Sequence, residues 1–229
     1  LPTVEWVDKL NPDFWKISSG LLTHIPVIEV LANLGRPLLI STGLGTVEEI
    51  DRTIAVVREQ GNQEIILFQC TSLYPAPLDS LNLATIHWMR ERYGVEVGFS
   101  DHSIGTDAAF LSVGAGATMI EKHFTLDAKR SGFDHAISLE PAGLREMVQR
   151  IRLAEGMLGD ARKVISPAQE QMRNKFLRTV VALREIQEGE SLNEENIGVK
   201  RPLPGSYGLT PADYGLLLNL SLIHISEPT

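Results

Sequence analysis

The chain reads GVEVGFSDHS from residue 94 to 103 and ATMIEKHFT from residue 117 to 125. In each stretch an apolar run predicts a buried strand, and a histidine follows it. A helical pattern separates the two, so we predict consecutive parallel strands whose ends lie about 5 Å apart. That geometry brings His102 and His123 together, and two neutral imidazoles suit one divalent transition metal. In the competing interpretation each histidine is a hydrogen-bonded core or loop residue, and the spacing alone does not decide between the two.

Outward from this stretch, strand-like and helix-like segments alternate along residues 1–158. The predicted strands are residues 13–17, 37–40, 64–69, 95–99 and 117–120. The predicted helices are residues 4–10, 24–34, 46–60, 82–93, 107–113 and 141–158. This rhythm predicts an α/β protein with a parallel sheet, either doubly wound or part of a (β/α)₈ barrel. We favour the barrel because no Gly-x-Gly-x-x-Gly turn follows the first strand.

In either fold, catalytic and binding groups collect at the carboxyl ends of the strands. Polar side chains gather at the predicted ends: Lys16, Ser19, Ser41, Thr42, Ser72, Tyr74, Ser100, Asp101, His102, Glu121 and His123. A lysine and several short hydroxyl donors at loop starts suit a phosphate dianion. The alternatives are ordinary ones, since each serine is also a good helix cap or turn residue and Tyr74 can be a packed loop aromatic. Lys16 is harder to explain without a ligand, because a strand end inside a parallel sheet is poorly solvated.

The character of the sequence changes after residue 158. Residues 159–175 are polar and contain a proline, which predicts a linker, and residues 176–221 read as a small separate module. Within the module we predict a strand at residues 179–182 and a short helical start at residues 192–196. A module of about 50 residues is marginal for independent folding, so we expect it to pack on the larger domain or on a partner chain.

The composition limits the class of protein. The net charge of −8 over 229 residues, without a run of Lys or Arg, argues against nucleic-acid binding. The single cysteine, Cys70, excludes an intrachain disulfide and fits a cytoplasmic protein. No stretch reads as a signal peptide or a membrane span. The chain opens on Leu1 rather than Met, so we expect the natural protein to start earlier.

Seven short motifs, in order along about residues 4–215, resemble the sialic acid synthase family of phosphoenolpyruvate-dependent N-acetylneuraminate and legionaminate synthases. They are KISSG (16–20), STG (41–43), CTSLYP (70–75), GFSDH (98–102), EKHFT (121–125), GFDH (132–135) and VKRP (199–202). Each motif alone is weak, but seven in register are specific. The resemblance implies a partial TIM barrel, about strands 4–8, followed by a truncated antifreeze-like (SAF) domain over residues 176–221. Residues 222–229 do not continue the family pattern, and we expect them to be a non-native tail.

The same resemblance implies a reaction, a metal and an assembly. The reaction is the condensation of phosphoenolpyruvate with N-acetylmannosamine to N-acetylneuraminate and phosphate. The metal is Mn²⁺, or another divalent cation such as Mg²⁺ or Co²⁺, and the assembly is a homodimer formed by a domain swap. Two alternative reactions stay open: legionaminate or pseudaminate synthesis from a diacetylated 6-deoxy hexosamine, and another barrel aldolase that uses phosphoenolpyruvate.

A non-catalytic fragment is the remaining alternative. Family barrels begin with three further strands, which carry a glutamate and a second phosphate-binding lysine. This chain starts just before the fourth strand, so we expect it to be inactive as written.

The resemblance also assigns roles to residues. His102 and His123 match the metal ligands and, with Tyr74 and Asp134, the catalytic residues; Tyr74 and Asp134 also approach the sugar. The residues implied for phosphoenolpyruvate binding are Lys16, Ser19, Ser41, Ser72 and Ser100. Arg201 matches an arginine that the small domain inserts into the partner subunit's barrel to contact the sugar's N-acetyl group.

This chain departs from the family pattern at two positions. Ser72 stands where the family often has Asn, and this shorter donor leaves one contact to water. Phe133 stands where the family usually has Pro, which changes the expected shape of that loop.

Without the resemblance to the family, Arg201 would be interpreted as a surface charge.

Overall fold

The computed structural model describes residues 2–132, 134–203 and 208–221. Among these residues, five strands form one parallel sheet in the order β1-β2-β3-β4-β5. They are β1 (Trp15–Ile17), β2 (Leu38–Ser41), β3 (Ile65–Cys70), β4 (Glu96–Asp101) and β5 (Ile120–Lys122). The helices of this part are α1 (Pro2–Asp8), α2 (Ile25–Asn33), α3 (Val47–Glu59), α4 (Thr85–Tyr93), α5 (Asp107–Gly114) and α6 (Pro141–Leu158). The predicted alternation of strands and helices is confirmed.

The strand order distinguishes the two predicted folds. Each strand pairs in parallel with the next one along the chain, from β1 through β5. A doubly wound sheet reverses direction at a switch point, whereas a barrel adds its strands in sequence. The described sheet contains no reversal, so its topology is that of part of a (β/α)₈ barrel.

Strands β4 and β5 extend into the polar motifs, and here the predicted bounds were wrong. The apolar runs predicted strands at residues 95–99 and 117–120, but Ser100 pairs with Glu121 and Asp101 pairs with Lys122 in the ladder. Side-chain contacts across these two pairs, described below, satisfy the polar groups and let the ladder continue. The motifs are therefore partly strand, and successive residues in them face opposite sides of the sheet.

The face of the sheet opposite the cleft packs against the helices. Ile17, Ile40, Leu67 and Val97 are register partners across four strands, and all four are fully buried. They belong to one apolar cluster that includes Ile28 of α2. Burying one such side chain contributes about 1.5–3 kcal/mol, so this row holds β1 to β4 in register.

Helices α3 and α4 begin or end where local sequence signals predict. The Thr46 hydroxyl accepts the backbone N–H of Glu49, and the Glu49 carboxylate accepts the backbone N–H of Thr46, so the two residues form a capping box. Loss of such a cap typically costs about 1 kcal/mol. Helix α4 ends at Gly94, whose φ of 64° is left-handed and favours glycine. These ends set the short connections between the helices and the strands.

Gly98 lets neighbouring strands approach closely below the cleft. A Cβ atom at this position would lie 2.7 Å from the Phe68 ring and 2.8 Å from the Met119 carbonyl oxygen. Phe68 and Gly98 are register partners on β3 and β4, so the ring lies over the glycine. Phe68 can therefore form the floor of the site described below.

The chain divides into two compact units, Leu1–Asp160 and Ala161–Thr229. The second unit contains α7 (Pro167–Phe176), β6 (Thr179–Ala182), β7 (Ile197–Lys200) and α8 (Tyr214–Leu217). Its two strands are antiparallel, and Leu192, Ile197 and Leu217 form its small buried cluster. That this unit is an antifreeze-like domain stays a prediction.

Two details of the second unit differ from the predictions. Helix α7 occupies much of the predicted linker at residues 159–175, because Ser166 and Gln169 form a capping box that starts it. The predicted helical start at residues 192–196 is a turn, in which the Asn193 carboxamide accepts the backbone N–H groups of Glu195 and Asn196. Residues 222–229, the predicted non-native tail, lie outside the described residues.

Within the described ranges, no helix combines the length and the apolar character needed to cross a bilayer. The longest helix, α6, has 18 residues and carries five charged side chains along its length. Its buried residues are Met147 and Ala154, so it presents one apolar side to the protein. We therefore assign α6 to the packing of the first unit.

Candidate functional site

A cleft of about 430 Å³ opens at the carboxyl ends of the five strands. Its lining is largely polar and comes from the ends of β1 to β5 and the loops that follow: Lys16, Ser18, Ser19, Gly20, Ser41, Leu44, Cys70, Ser72, Tyr74, Ser100, His102, Glu121 and His123. Nine of the eleven polar residues named from the sequence at the strand ends lie in this one lining, and the other two, Thr42 and Asp101, do not. The parallel sheet brings the nine together from positions more than a hundred residues apart.

A side-chain contact across the cleft shows how strongly the sheet curls. Lys16 lies on β1 and Glu121 on β5, yet Lys16 Nζ is 3.3 Å from Glu121 Oε2. In a flat sheet these two strands would be about 19 Å apart, too far for the two side chains to meet. The sheet is therefore a curled half-barrel, and the cleft is its interior mouth.

The two imidazoles lie side by side at one end of the cleft. The ring centroids of His102 and His123 are 5.2 Å apart. The Tyr74 ring lies 4.1 Å from the His102 ring and 5.8 Å from the His123 ring. Tyr74 is thus part of the site rather than packed in the surrounding loop, and the three rings form one cluster.

Hydrogen bonding defines the state of His102. Its Nδ1 lies 2.8 Å from the carbonyl oxygen of Thr71, and a carbonyl oxygen can only accept. Nδ1 therefore carries the proton, which leaves Nε2 with a free lone pair in the neutral ring. Such an outer-shell bond is what usually orients a metal-binding histidine. His123 has a different partner, since its Nδ1 is 3.6 Å from Asp134 Oδ2.

The Cys70 thiol and the His102 ring influence each other's protonation. Burial lowers the pKa of His102, but hydrogen bonds to Cys70 and Thr71 and the negative charges of Cys70 and Glu121 outweigh it and raise the pKa. Burial raises the pKa of Cys70, but the hydrogen bond and charge of His102, with two serine hydroxyls, outweigh it and lower the pKa. The thiol therefore ionises more readily here than in water.

Tyr74 keeps its proton at neutral pH. Its pKa is raised by burial first, and then by the negative charges of Cys70, Asp134 and Glu121. The ring is half exposed at the mouth of the cleft. The phenol is accordingly an O–H donor that a ligand in the cleft can use.

Lys16 and its neighbours occupy the other end of the cleft. Lys16 Nζ donates to Ser41 Oγ at 2.7 Å and lies 5.4 Å from the centroid of the Phe68 ring. Ser100 Oγ donates to Glu121 Oε1 at 2.6 Å. One cation, two hydroxyls and one carboxylate thus form a connected polar group over an aromatic floor.

Ser19 and Ser72 lie on either side of Cys70. Ser19 Oγ accepts the backbone N–H of Gly43 at 3.0 Å and is 3.8 Å from Cys70 Sγ, while Ser72 Oγ is 3.9 Å from the same sulfur. A Cβ atom on Gly43 would lie 2.6 Å from Ser72 Oγ and 2.8 Å from Cys70 Sγ. The glycine is needed here because the loop after β2 passes directly against the end of β3.

Two residues from the predicted set remain to be placed. Arg201 belongs to the second unit, where its side chain is exposed and its guanidinium lies 5.1 Å from the centroid of the Phe176 ring. Its role in a partner's site stays a prediction. Phe133, at which the loop departs from the family pattern, lies outside the described residues.

Sequence reasoning did not assign a role to Glu121 or Cys70, although both line the cleft. Glu121 contacts Lys16 and Ser100, and Cys70 contacts His102. A signal for Glu121 was available, because it stands two residues before His123 and strand alternation places both on the same face. No local signal marks Cys70, since a buried cysteine at a strand end reads as an ordinary core residue.

The metal that the resemblance implies can be tested against this donor set. His102 offers Nε2, and the His123 ring is adjacent. In the part of the chain that the structure describes, no group of three or more His, Cys, Asp or Glu side chains could hold a metal ion. Two nitrogen donors side by side fit an intermediate divalent ion whose other positions go to water or to substrate oxygens.

A larger hollow of about 570 Å³ lies at the opposite, amino-terminal ends of the strands. Arg90 and Glu96, its charged pair, already bind each other at 3.2 Å, and Arg90 also donates to the Gly116 carbonyl. This hollow lacks the converging polar groups of the cleft. The candidate site is therefore identified by its converging polar side chains and not by the volume of its cavity.

The comparisons with known proteins agree with this geometry. Residues 1–163 match the NeuB family. An uncharacterized protein of Methanocaldococcus jannaschii is 41% identical over 202 residues, which cover 88% of this chain and 60% of that protein. The N,N'-diacetyllegionaminic acid synthase of Campylobacter jejuni is 35% identical over 207 residues, which cover 90% of this chain and 62% of the synthase.

A solved structure shares the fold as well. The crystal structure of an N-acetylneuraminic acid (sialic acid) synthetase from Leptospira borgpetersenii in complex with citrate matches with a TM-score of 0.72 and 28% identity, covering 77% of this chain and 62% of that chain. This chain spans about 60% of the length of the curated relatives it matches. The matched residues 1–163 contain the curled sheet and the whole lining of the cleft. The chain belongs to the NeuB family.

Proposed function

We propose that this chain carries the phosphoenolpyruvate- and metal-binding part of a synthase that joins phosphoenolpyruvate to an N-acylated amino sugar and releases phosphate. One observation carries the proposal: a single cleft has a lysine with hydroxyl donors at one end and two adjacent imidazoles at the other. The first end suits a phosphate dianion, and the second suits a divalent ion. The names of the relatives support this class of reaction.

At the phosphate end, Lys16 is the binding cation. In the protein alone, the Glu121 carboxylate lies 3.3 Å from the Lys16 ammonium and balances its charge, and Lys16 also donates a hydrogen bond to Ser41. A phosphate dianion competes with Glu121 for Lys16 because it carries more charge and more acceptor oxygens. We infer that Ser19, Ser41, Ser72 and Ser100 supply further donors to phosphoenolpyruvate, either directly or through water.

At the other end, His102 and His123 would hold Mn²⁺, with Mg²⁺ or Co²⁺ as alternatives. When bound, such an ion supplies Lewis acidity to the aldehyde oxygen of the open-chain sugar. His102 contributes Nε2, because the Nδ1 bond to the Thr71 carbonyl selects the neutral tautomer whose lone pair is on Nε2. The Tyr74 phenol donates a hydrogen bond to the sugar, and Asp134 orients His123 and reaches the same substrate.

Glu121 is the carboxylate best placed to handle a proton in the reaction. It lies between Lys16 and Ser100, next to the position proposed for phosphoenolpyruvate. When phosphate engages Lys16, the carboxylate loses its contact with that cation, and its oxygens become available to the reacting water. We infer that Glu121 takes the proton of the water that adds to carbon 2 before phosphate leaves.

N-acetylmannosamine, which gives N-acetylneuraminate, is the first candidate sugar, as the Leptospira neighbour suggests. A diacetylated 6-deoxy hexosamine, which gives legionaminate or pseudaminate, is the alternative, and the Campylobacter relative supports legionaminate. We infer that Arg201 contacts the acyl group of the sugar in the site of a partner subunit, within a swapped homodimer. A full-length protein that sediments as a monomer with full activity would contradict the dimer.

The chain matches about 62% of the Campylobacter synthase, so the activity test uses a hybrid protein that supplies the rest of that synthase. We would replace the matching segment of the Campylobacter synthase with this chain and follow phosphate release from phosphoenolpyruvate with Mn²⁺ and a panel of acylated hexosamines. We expect release that requires both the metal and one class of sugar, and that stops with chelator. The 229-residue chain alone serves in parallel for binding of Mn²⁺ and phosphoenolpyruvate.

The outcomes separate the candidate functions. Binding of both ligands by the chain, with turnover only in the hybrid, would identify the chain as the binding part of a synthase. Turnover by the chain alone would contradict our expectation that it is inactive as written. A folded chain that binds neither ligand would overturn the proposal.

A further inference from the structure

A buried polar cluster lies on the far side of the sheet from the cleft, at the ends of β4 and β5. It consists of Asp101, Ser103 and Lys122, and we call it the Asp101 cluster. Lys122 Nζ lies 2.9 Å from Asp101 Oδ2, and the two side chains are 2% and 0% exposed. Asp101 Oδ1 accepts from the Ser103 backbone N–H at 2.8 Å and from Ser103 Oγ at 2.7 Å. Lys122 also donates to the Ser103 carbonyl oxygen.

Each charged member of this cluster immediately precedes one of the two imidazoles. Asp101 and Lys122 are register partners, one step after the Ser100 and Glu121 pair. Because side chains alternate along a strand, Ser100 and Glu121 face the cleft, and Asp101 and Lys122 face away from it. The chain then returns His102 and His123 to the cleft side, where their rings lie 5.2 Å apart.

Stability alone is a weak explanation for these charges. Two ions taken out of water lose their hydration, and an apolar pair of similar volume is often at least as stabilising at such a position. The cluster instead supplies directional hydrogen bonds, which an apolar pair cannot form. One bond ties β4 to β5, and three more fix the turn from Asp101 through Ser103, which contains His102.

We propose that the Asp101 cluster consists of positioning residues that set the distance and orientation between His102 and His123. The ion pair holds the two strand ends at one spacing, and the Ser103 bonds hold the backbone on either side of His102. Two donors must be held to within about 0.5 Å for one ion to engage both. This inference rests on the proposed function for its consequence, metal binding, but the ring geometry that it concerns exists without a metal.

The test uses the whole chain and two readouts. The first needs no metal: the proton resonances of the His102 and His123 rings are shifted by the Tyr74 ring current, because Tyr74 lies 4.1 Å and 5.8 Å from them. The second is Mn²⁺ affinity, followed by the electron paramagnetic resonance signal of the free ion. Thermal unfolding is measured beside both, to separate positioning from loss of fold.

The main variant is the double change Asp101→Leu with Lys122→Met, which removes both charges together and leaves neither ion buried alone. We expect it to unfold at a temperature equal to or above that of the parent chain. We also expect the ring-current shifts to shrink and Mn²⁺ to bind about 10–100-fold more weakly, the range typical of lost outer-shell partners. Arg92→Met, which breaks the exposed pair with Asp51, is the control and should change neither readout.

Ser103→Ala keeps the test decisive if the double variant does not fold. It removes only the hydroxyl bond to Asp101 Oδ1 and leaves the backbone bond and the ion pair in place. We expect smaller changes in the same direction, with Mn²⁺ affinity reduced by about threefold, below the 10–100-fold range of a full outer-shell loss. Unchanged ring shifts in the folded variants would overturn the inference.

The two proposals fail in different ways. If the parent chain binds no Mn²⁺ but the variants lose the ring-current shifts, the positioning role holds and the metal role proposed for the site is wrong. If the parent binds Mn²⁺ and the folded variants bind it equally well with the same ring shifts, the positioning role is wrong and the metal site stands.

Discussion

His102 is the residue whose chemical state its surroundings define best. Its Nδ1–H donates to the Thr71 carbonyl, and its ring, which is only 5% exposed, lies 4.1 Å from the Tyr74 ring at a tilt of 32°. His123 is more open and is oriented by Asp134. In the metal site that we propose, His102 is the more buried nitrogen donor and His123 the more open one.

We predict that His102→Ala and His123→Ala each weaken Mn²⁺ binding by more than the roughly 10–100-fold that outer-shell changes cost. The reason is that either change removes one of two protein nitrogens. The measurement is a Mn²⁺ titration followed by electron paramagnetic resonance. His87→Ala is the matched control, because that ring is exposed and pairs with Glu91 at 3.2 Å. Retained affinity in either site variant would show that the ligand assignment is wrong.

In the function that we propose, phosphate binding depends on Lys16. Lys16→Met keeps the length of the side chain and its contact with the Phe68 ring but removes the charge. A hydrogen bond to a charged group contributes about 1.5–3 kcal/mol, so phosphoenolpyruvate should bind roughly 10- to 150-fold more weakly by calorimetry. Lys9→Met, at an exposed position, should bind it normally. Equal affinities for the two variants would contradict the role of Lys16.

At the scale of elements, short loops against strand ends determine the shape of the cleft. The loop after β2 carries Gly43, whose Cα faces the sulfur and hydroxyl at the end of β3. The space for a ligand depends on this close approach. The strands themselves can be aligned by their apolar residues, but the loops are aligned by single contacts of this kind.

Gly43→Ala should therefore destabilise the first unit. The new methyl group would lie 2.6 Å from Ser72 Oγ and 3.0 Å from the Cys70 carbonyl oxygen, so backbone has to move. Overpacking of this kind costs about 1–3 kcal/mol, measured by urea unfolding. Gly20→Ala is the control, since a methyl group there has no heavy atom within 4 Å. If both variants unfold at the same urea concentration, the packing of this loop is not as described.

At the scale of the whole molecule, the cleft joins the two edges of the described sheet. Lys16 on β1 and Glu121 on β5 meet across it although three strands lie between them. A ligand that binds Lys16 at one end and the imidazoles near β4 and β5 at the other would tie both edges together. Binding should then be visible as stability of the first unit.

We predict that phosphoenolpyruvate and Mn²⁺ together raise the thermal transition of the first unit in calorimetry. At a ligand concentration 100 times the dissociation constant, mass action contributes about 2.7 kcal/mol. The chelator EDTA should remove the Mn²⁺ part of the shift. In a chain with both Lys16→Met and His102→Ala, the shift should disappear. A shift of full size in that variant would place the ligands elsewhere in the molecule.

Much of this architecture follows from local sequence. The capping box at Thr46, the stop at Gly94 and the alternation of strands with helices depend on neighbours within a few residues, and the structure agrees with them. The polar residues at strand ends could likewise be named from the sequence. A parallel sheet places all its carboxyl ends at one edge, so they had to lie near one another.

Other features were decided only by the tertiary structure. Three features depend on residues far apart in the chain: the bounds of β5, the contact between Lys16 and Glu121, and the buried pair of Asp101 and Lys122. Apolar periodicity cannot predict them, because it indicates which residues are buried but not which polar side chains contact each other. They depend on the curl and register of the sheet, which arise when all five strands pack on their helices at once. The sequence alone determined most of the polar groups that this cleft contains, whereas the curl of the sheet determined which of them touch and added Cys70 to the lining.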